Sequence, residues 1–176
     1  MFRRRGQRMF RGMGDPNIPP VLQRANQLMA SGDHAGAARA YSELARGAES
    51  RFPQRAPLLF MAAGRAALYS GQTQAGMEHL RHGLSLLSAQ GRIPRMRAFG
   101  QRAIDELRTR DLNAEADEIA GLLNAYHPKD IPPAPTKRPI LPTHCPACGG
   151  AVHPDEVEWL DDVSAECAYC GSPVRE

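Results

Sequence analysis

Residues 60–84 read FMAAGRAALYSGQTQAGMEHLRHGL, two runs rich in alanine and leucine interrupted by Ser70-Gly71-Gln72-Thr73. Gly71 can take the left-handed conformation that ends a helix. Thr73 is then placed to cap the helix that follows. The same signal stands on either side, at Ser31-Gly32-Asp33-His34, with Asp33 as the cap, and at Arg110-Asp111-Leu112-Asn113. The steps are 39 residues (32 to 71) and 40 residues (71 to 111). Five positions after each turn comes a small residue, Ala37, Gly76 or Ala116. A bulky one follows four later at Tyr41 and Leu80, but only Ala120 in the third. Small residues let two helices approach, and the bulky ones fill the space behind. A constant period of this size predicts about six helices over residues 18–126, as stacked antiparallel hairpins. Their core is expected to hold Leu22, Leu28, Tyr41, Leu44, Leu68, Leu80, Leu84, Leu107 and Leu123. A six-helix bundle without repeats is the competing reading.

The composition agrees with a mainly α fold. The chain has 176 residues, is 42% hydrophobic and 23% charged, and has few aromatics at 6%. Alanine and leucine favour helix over sheet. No run of 18 apolar residues is present, so no transmembrane segment is expected. The basic N-terminus lacks the apolar run of a secretory signal, and its lack of serine argues against a transit peptide. All four cysteines fall within the last 32 residues. Their close pairing and the missing signal point to thiolates in a reducing cytoplasm. Charge is unevenly spread. Residues 1–130 hold 19 basic and 12 acidic side chains, whereas residues 131–176 hold 3 and 7. The two ends are expected to have different partners.

Four segments follow: a basic arm over 1–17, the helical segment over 18–126, a linker over 127–141 and a cysteine module over 142–176. The linker HPKDIPPAPTKRPIL favours polyproline II and forbids helix. Its fifteen residues can span about 45 Å, which predicts separate cores on its two sides.

The module carries Cys145-Pro-Ala-Cys148-Gly149 and Cys167-Ala-Tyr-Cys170-Gly171, with 18 residues between Cys148 and Cys167. Two intervening residues let one tight turn aim both sulfurs at a common ion, and the following glycine permits the positive φ of that turn. Two such pairs predict one structural zinc bound by Cys145, Cys148, Cys167 and Cys170. Two disulfides, or a rubredoxin-type iron site, are the alternatives. Four thiolates leave no open position for catalysis, and the ion would hold together a module too small for its own core. Between the pairs, VEWLDDVSAE reads as a hairpin with Asp161-Asp162 at its tip. The two knuckles joined by a hairpin resemble the zinc ribbon family. His144 and His153 are read as bystanders, hydrogen-bonded to sulfur at most. Seven acids against Arg175 alone over 143–176 oppose phosphate binding by the ribbon. Trp159 is either an exposed anchor for a protein partner or part of the ribbon's own core.

Gly64, Gly71, Gly76 and Leu80 in one hairpin, and Ala25, Gly32, Ala37 and Tyr41 in the one before, resemble the tetratricopeptide repeat family. The third hairpin departs from the pattern, with Ile104 for the small residue and Asp111 for the glycine, and the period exceeds the family's 34 or so residues. The resemblance implies a right-handed superhelix whose concave groove binds a protein or peptide. The first helix of each hairpin would line it, turning Asn26, Met29, Arg65, Tyr69, Gln101 and Arg108 inward. No nucleotide loop, nucleophile signature or HExxH is present, so no enzyme class is indicated. His79 and His82 stand three apart but lack a third ligand. The leading expectation is an interaction adaptor with the ribbon as a second contact module. The alternative is a nucleic-acid or transcription accessory protein using the zinc ribbon together with the basic arm, whose Arg3, Arg4, Arg5, Arg8 and Arg11 would attract phosphate. Redox or metal-handling chemistry at the CxxC pairs is a third. The oligomeric state has no sequence signature.

Overall fold

A computed structural model describes residues 19–125, 139–159 and 163–175. The basic arm, most of the linker and the hairpin tip with Asp161 and Asp162 lie outside the described residues. Six helices come first: α1 (Pro20–Ala30), α2 (His34–Arg51), α3 (Ala56–Tyr69), α4 (Thr73–Ala89), α5 (Ile93–Arg108) and α6 (Asn113–Asn124). A three-stranded antiparallel sheet follows, in the order β1 (Glu158–Trp159), β2 (Ser164–Glu166), β3 (Pro173–Arg175). β1 and β2 pair Glu158 with Glu166 and Trp159 with Ala165, which is the hairpin expected from VEWLDDVSAE. The fold is mainly α, with six helices packed against one another and a small terminal sheet. No helix among the described residues is long and apolar enough to cross a membrane.

The helix ends follow from local chemistry. Gly32, Gly71 and Gly91 have φ of 83°, 79° and 72°, and Asp111 takes the same region at 60°. After α3, the Gln72 N–H donates to the Ala67 carbonyl and the Gly71 N–H to the Leu68 carbonyl, at 2.9 and 3.1 Å. The same pair of bonds closes α4 through Arg92 and Gly91, and α5 through Leu112 and Asp111. This closure satisfies carbonyls that a helix end leaves open. It fixes the next cap at the residue after the left-handed one, so the cap positions are Asp33, Gln72, Arg92 and Leu112. Asp33 caps as expected, its carboxylate accepting from Gly36 N at 2.9 Å. Thr73 does not cap. It is the first helical residue, one position too late, and Gln72 holds the cap position without a side-chain bond.

Hairpin packing rests on small residues. A Cβ on Gly76 would stand 2.8 Å from Leu68 Cγ and 3.1 Å from the Gly64 carbonyl oxygen, and one on Gly64 would stand 2.9 Å from Leu80. Ala37 and Ala116 are fully buried at the corresponding positions. Seven of the nine expected core residues are buried; Leu28 and Leu44 are half-buried at the edge.

The core divides differently from the expectation of separate cores. One apolar cluster joins α4, α5 and α6 to one side of α3. The other joins α1, α2 and the remaining side of α3 to Leu141, Val152, Ala165, Val174 and the four cysteines. The terminal module therefore has no private core. It is too small to bury enough apolar surface alone, and it completes its interior against the first three helices.

Candidate metal centre

Two near-identical turns build the centre. In the first, Gly149 N donates to the Cys145 carbonyl at 2.9 Å and Cys145 N to the Gly150 carbonyl at 2.8 Å. In the second, Gly171 N donates to the Cys167 carbonyl at 2.9 Å and Cys167 N to the Ser172 carbonyl at 2.9 Å. Gly149 and Gly171 have φ of 72° and 76°, which explains the glycine after each second cysteine. The two turns face each other. Gly150 leaves room for Tyr169, whose ring would meet a Cβ there at 2.6 Å.

All four cysteines are buried and unbridged, with their Sγ atoms within 4.8 Å of one another. Cys145 and Cys170 Sγ are 3.8 Å apart, as are Cys148 and Cys167 Sγ. A tetrahedral ion with bonds of about 2.3 Å sets its donor sulfurs about 3.8 Å apart, so this set fits one four-coordinate soft metal ion. The sulfurs also press on each other's protonation. Hydrogen bonding with Cys148 lowers the Cys145 thiol, while the reciprocal contact with Cys145 pushes Cys148 up. Gly150 N donates to Cys148 Sγ at 3.4 Å. His144 bonds to Thr143 Oγ1 at 3.1 Å and is not a member of the cluster. Burial, with Arg102 and Arg65 nearby, holds the His153 imidazole down to about 4, so it is neutral at pH 7.

Of the residues expected to line the groove, Asn26, Met29 and Arg65 lie against the module. Asn26 of α1 is buried and donates through Nδ2 to the Cys148 carbonyl at 2.6 Å. Arg65 of α3 pairs with Glu106 at 2.6 Å and stands 3.9 Å from Glu156 of the module. Met29 lines a small cavity of about 210 Å³ with Tyr41, Arg65, Gly149 and Tyr169. Tyr69 and Gln101 line a larger groove of about 740 Å³ beside α3 and α5, with Asp155 of the module in its lining. The Arg110 guanidinium lies 4.2 Å above the Tyr69 ring. Arg108 is exposed and stands 3.9 Å from Asp117 of α6, outside both cavities. Trp159 is half-buried and packs on the cluster shared by helices and module.

Residues that the sequence did not single out complete this contact. Arg102 pairs with Glu156 and with Asp155, each at 2.7 Å. Arg92 and Arg95 pair with Glu158 at 2.8 and 3.1 Å, and Arg95 Nε donates to the Glu156 carbonyl at 3.1 Å. Glu156 is 4% exposed, and burial raises its carboxyl to about 7 against the opposing pull of Arg65 and Arg102. The acidic end and the basic segment, expected to have different partners, are partners of each other along this seam. The signal was in the sequence: Arg95 and Arg102 lie seven apart on one helical face. His79 and His82 do not form a metal site among the described residues; both pack on Phe60, and His82 bonds to Glu49 at 2.8 Å.

Comparison of the chain with family models, with curated proteins and with solved structures returned no match, so the assignment of this centre rests on its own geometry.

Proposed function

We propose that this chain is a protein-binding scaffold: an array of helical hairpins of the tetratricopeptide type, with a zinc ribbon seated on its concave face. The ion is zinc, because four buried thiolates at tetrahedral spacing form a closed structural site for it. Such a site belongs in a reducing compartment such as the cytoplasm. The observation that carries the scaffold reading is the seam itself. Residues of α3 and α5 hold a stretch of polypeptide, residues 155–158, and Asn26 of α1 holds the Cys148 carbonyl, so that the first helix of each hairpin contacts the module. That is the contact geometry expected of a hairpin array. The unfilled groove of about 740 Å³ beside it continues the same face with Tyr69, Gln101 and Arg110. A protein or peptide partner seated there would touch the ribbon at Asp155 as well, making the ribbon the second contact module.

The test has two parts. Elemental analysis of protein purified without added metal should find one zinc per chain; iron, or no metal, would remove the zinc assignment. A photo-crosslinking residue placed at Gln101 should capture a defined protein partner, while the same residue at exposed Gln74 of α4, outside the groove, should not. Capture at neither position, or equally at both, contradicts a groove-bound partner. Titration with DNA and RNA distinguishes the alternative. Salt-sensitive binding at physiological ionic strength by protein lacking residues 1–14 would put the accessory-factor reading first.

A further inference from the structure

Asn26 and Tyr41 form a buried relay that ends on the metal knuckle. The Tyr41 hydroxyl donates to Asn26 Oδ1 at 2.6 Å, and Asn26 Nδ2 donates to the Cys148 carbonyl at 2.6 Å. Asn26 is 4% exposed and Tyr41 3%. The amide orientation is fixed by its partners, since the Cys148 carbonyl can only accept and the amide must therefore present its nitrogen there. Both side chains sit among apolar neighbours that include Leu22, Ala25, Ala37 and Ala45. A buried amide in such a place requires its hydrogen bonds. The one bond that Asn26 sends out of the helices goes to the peptide joining Cys148 to Gly149, the peptide whose turn aims the Cys148 sulfur.

We infer that Asn26 is a positioning residue of the metal centre, with Tyr41 orienting it, so that metal affinity is set in part by the helical array. This inference rests on the four cysteines holding a metal ion, not on the scaffold reading. Its logic is that of an outer-shell partner, which fixes a ligand's orientation without touching the metal. Fixing the Cys148 carbonyl restrains the Cys148–Gly149 peptide, and with Gly150 N on the sulfur it leaves Cys148 little freedom except the metal-binding geometry. The linkage is reciprocal: whatever helical contact tightens the metal is itself tightened by the metal.

Asn26→Asp and Tyr41→Phe in the full chain test this. Aspartate keeps the size of Asn26 but turns an acceptor toward the Cys148 carbonyl. Tyr41→Phe leaves the Cys148 bond in place and removes only the orienting hydroxyl. Leu80→Ala is the control, because Leu80 is buried in the other apolar cluster. Zinc affinity is measured by competition with a chromophoric chelator, and thermal unfolding is followed with and without zinc. Asn26→Asp should weaken zinc by about tenfold or more, Tyr41→Phe by less, and both should shrink the rise in Tm that zinc produces. Leu80→Ala should lower Tm in both states and leave the affinity within about twofold. The inference is overturned if Asn26→Asp lowers both Tm values equally while zinc affinity stays within about twofold of the parent. It is also overturned if Leu80→Ala weakens zinc as much as Asn26→Asp does. A chain that binds no zinc in any form would sink the metal assignment instead, a result distinct from either.

Discussion

Glu156 is the one acidic side chain that is fully buried among the described residues, and its charge is contested by opposing forces. Desolvation disfavours the carboxylate, while Arg102 at 2.7 Å and Arg65 at 3.9 Å favour it. Burial wins, placing its folded pKa at about 7 against the ordinary 4.5. A carboxyl whose folded pKa is raised contributes stability that is fully present below the unfolded value. That contribution is lost as pH rises through the folded one, here between about 4.5 and 7. Glutamine resembles the protonated acid at every pH. The stability of Glu156→Gln relative to the parent should therefore increase as pH rises from 4.5 to 7. Denaturant unfolding of both proteins in saturating zinc, at several pH values, measures this difference and cancels the pH dependence of the metal site. A difference that shrinks with rising pH would mean that the arginines dominate and the carboxylate is net favourable. Glu156 was not legible in the sequence, because its burial depends on contacts with α3 and α5 far away in the chain. The cysteines were legible, because their chemistry is written in a spacing of two residues and a following glycine.

Gly76, Gly64 and the left-handed turn residues show how much of each element was written locally. The turns at Gly32 and Gly71 were readable because a positive φ restricts residue choice, and the one at Asp111 because it keeps their period. The small residues were readable because close helix packing excludes a bulky side chain, and at Gly64 and Gly76 even a Cβ. Gly91 was missed: Gln90-Gly91-Arg92 carries the same turn, but it falls between hairpins and outside the period of 39 or 40 residues. Leu28 and Leu44 were placed too deep, because helical spacing does not tell the centre of a stripe from its edge. Two substitutions check the packing account. Gly76→Ala gains helix propensity of up to about 1 kcal/mol but drives a methyl into Leu68 and the Gly64 carbonyl. It should destabilise by about 1–2 kcal/mol. Asp111→Gly relieves a non-glycine residue at φ 60° and should stabilise by about 0.5–1 kcal/mol. Thermal or denaturant unfolding reads both. A neutral Gly76→Ala would mean that the α3–α4 approach is looser than described.

The whole molecule is organised by a seam that neither half completes alone. The ribbon contributes cysteines, an acidic stretch and a few apolar residues; α1, α2 and α3 contribute the rest of the core, and α5 contributes Arg95 and Arg102. The proline-rich linker suggested two independent bodies, yet linker composition describes only the path of the chain and not where its ends dock. The charge asymmetry suggested different partners for the two ends, yet opposite charges on two segments of one chain can meet within it, as Arg102 and Glu156 do. A metal held by the four cysteines would then stabilise the helices on which the module rests, and chiefly those of the shared cluster. Amide hydrogen exchange, resolved by element, with zinc bound and after its removal by a chelator, tests this most directly. The account predicts that α1 and the side of α3 in the shared cluster lose protection when the metal leaves, while α6, which packs in the other cluster, is unchanged. Loss of protection confined to residues 139–175, with α1 exchanging as before, would contradict it.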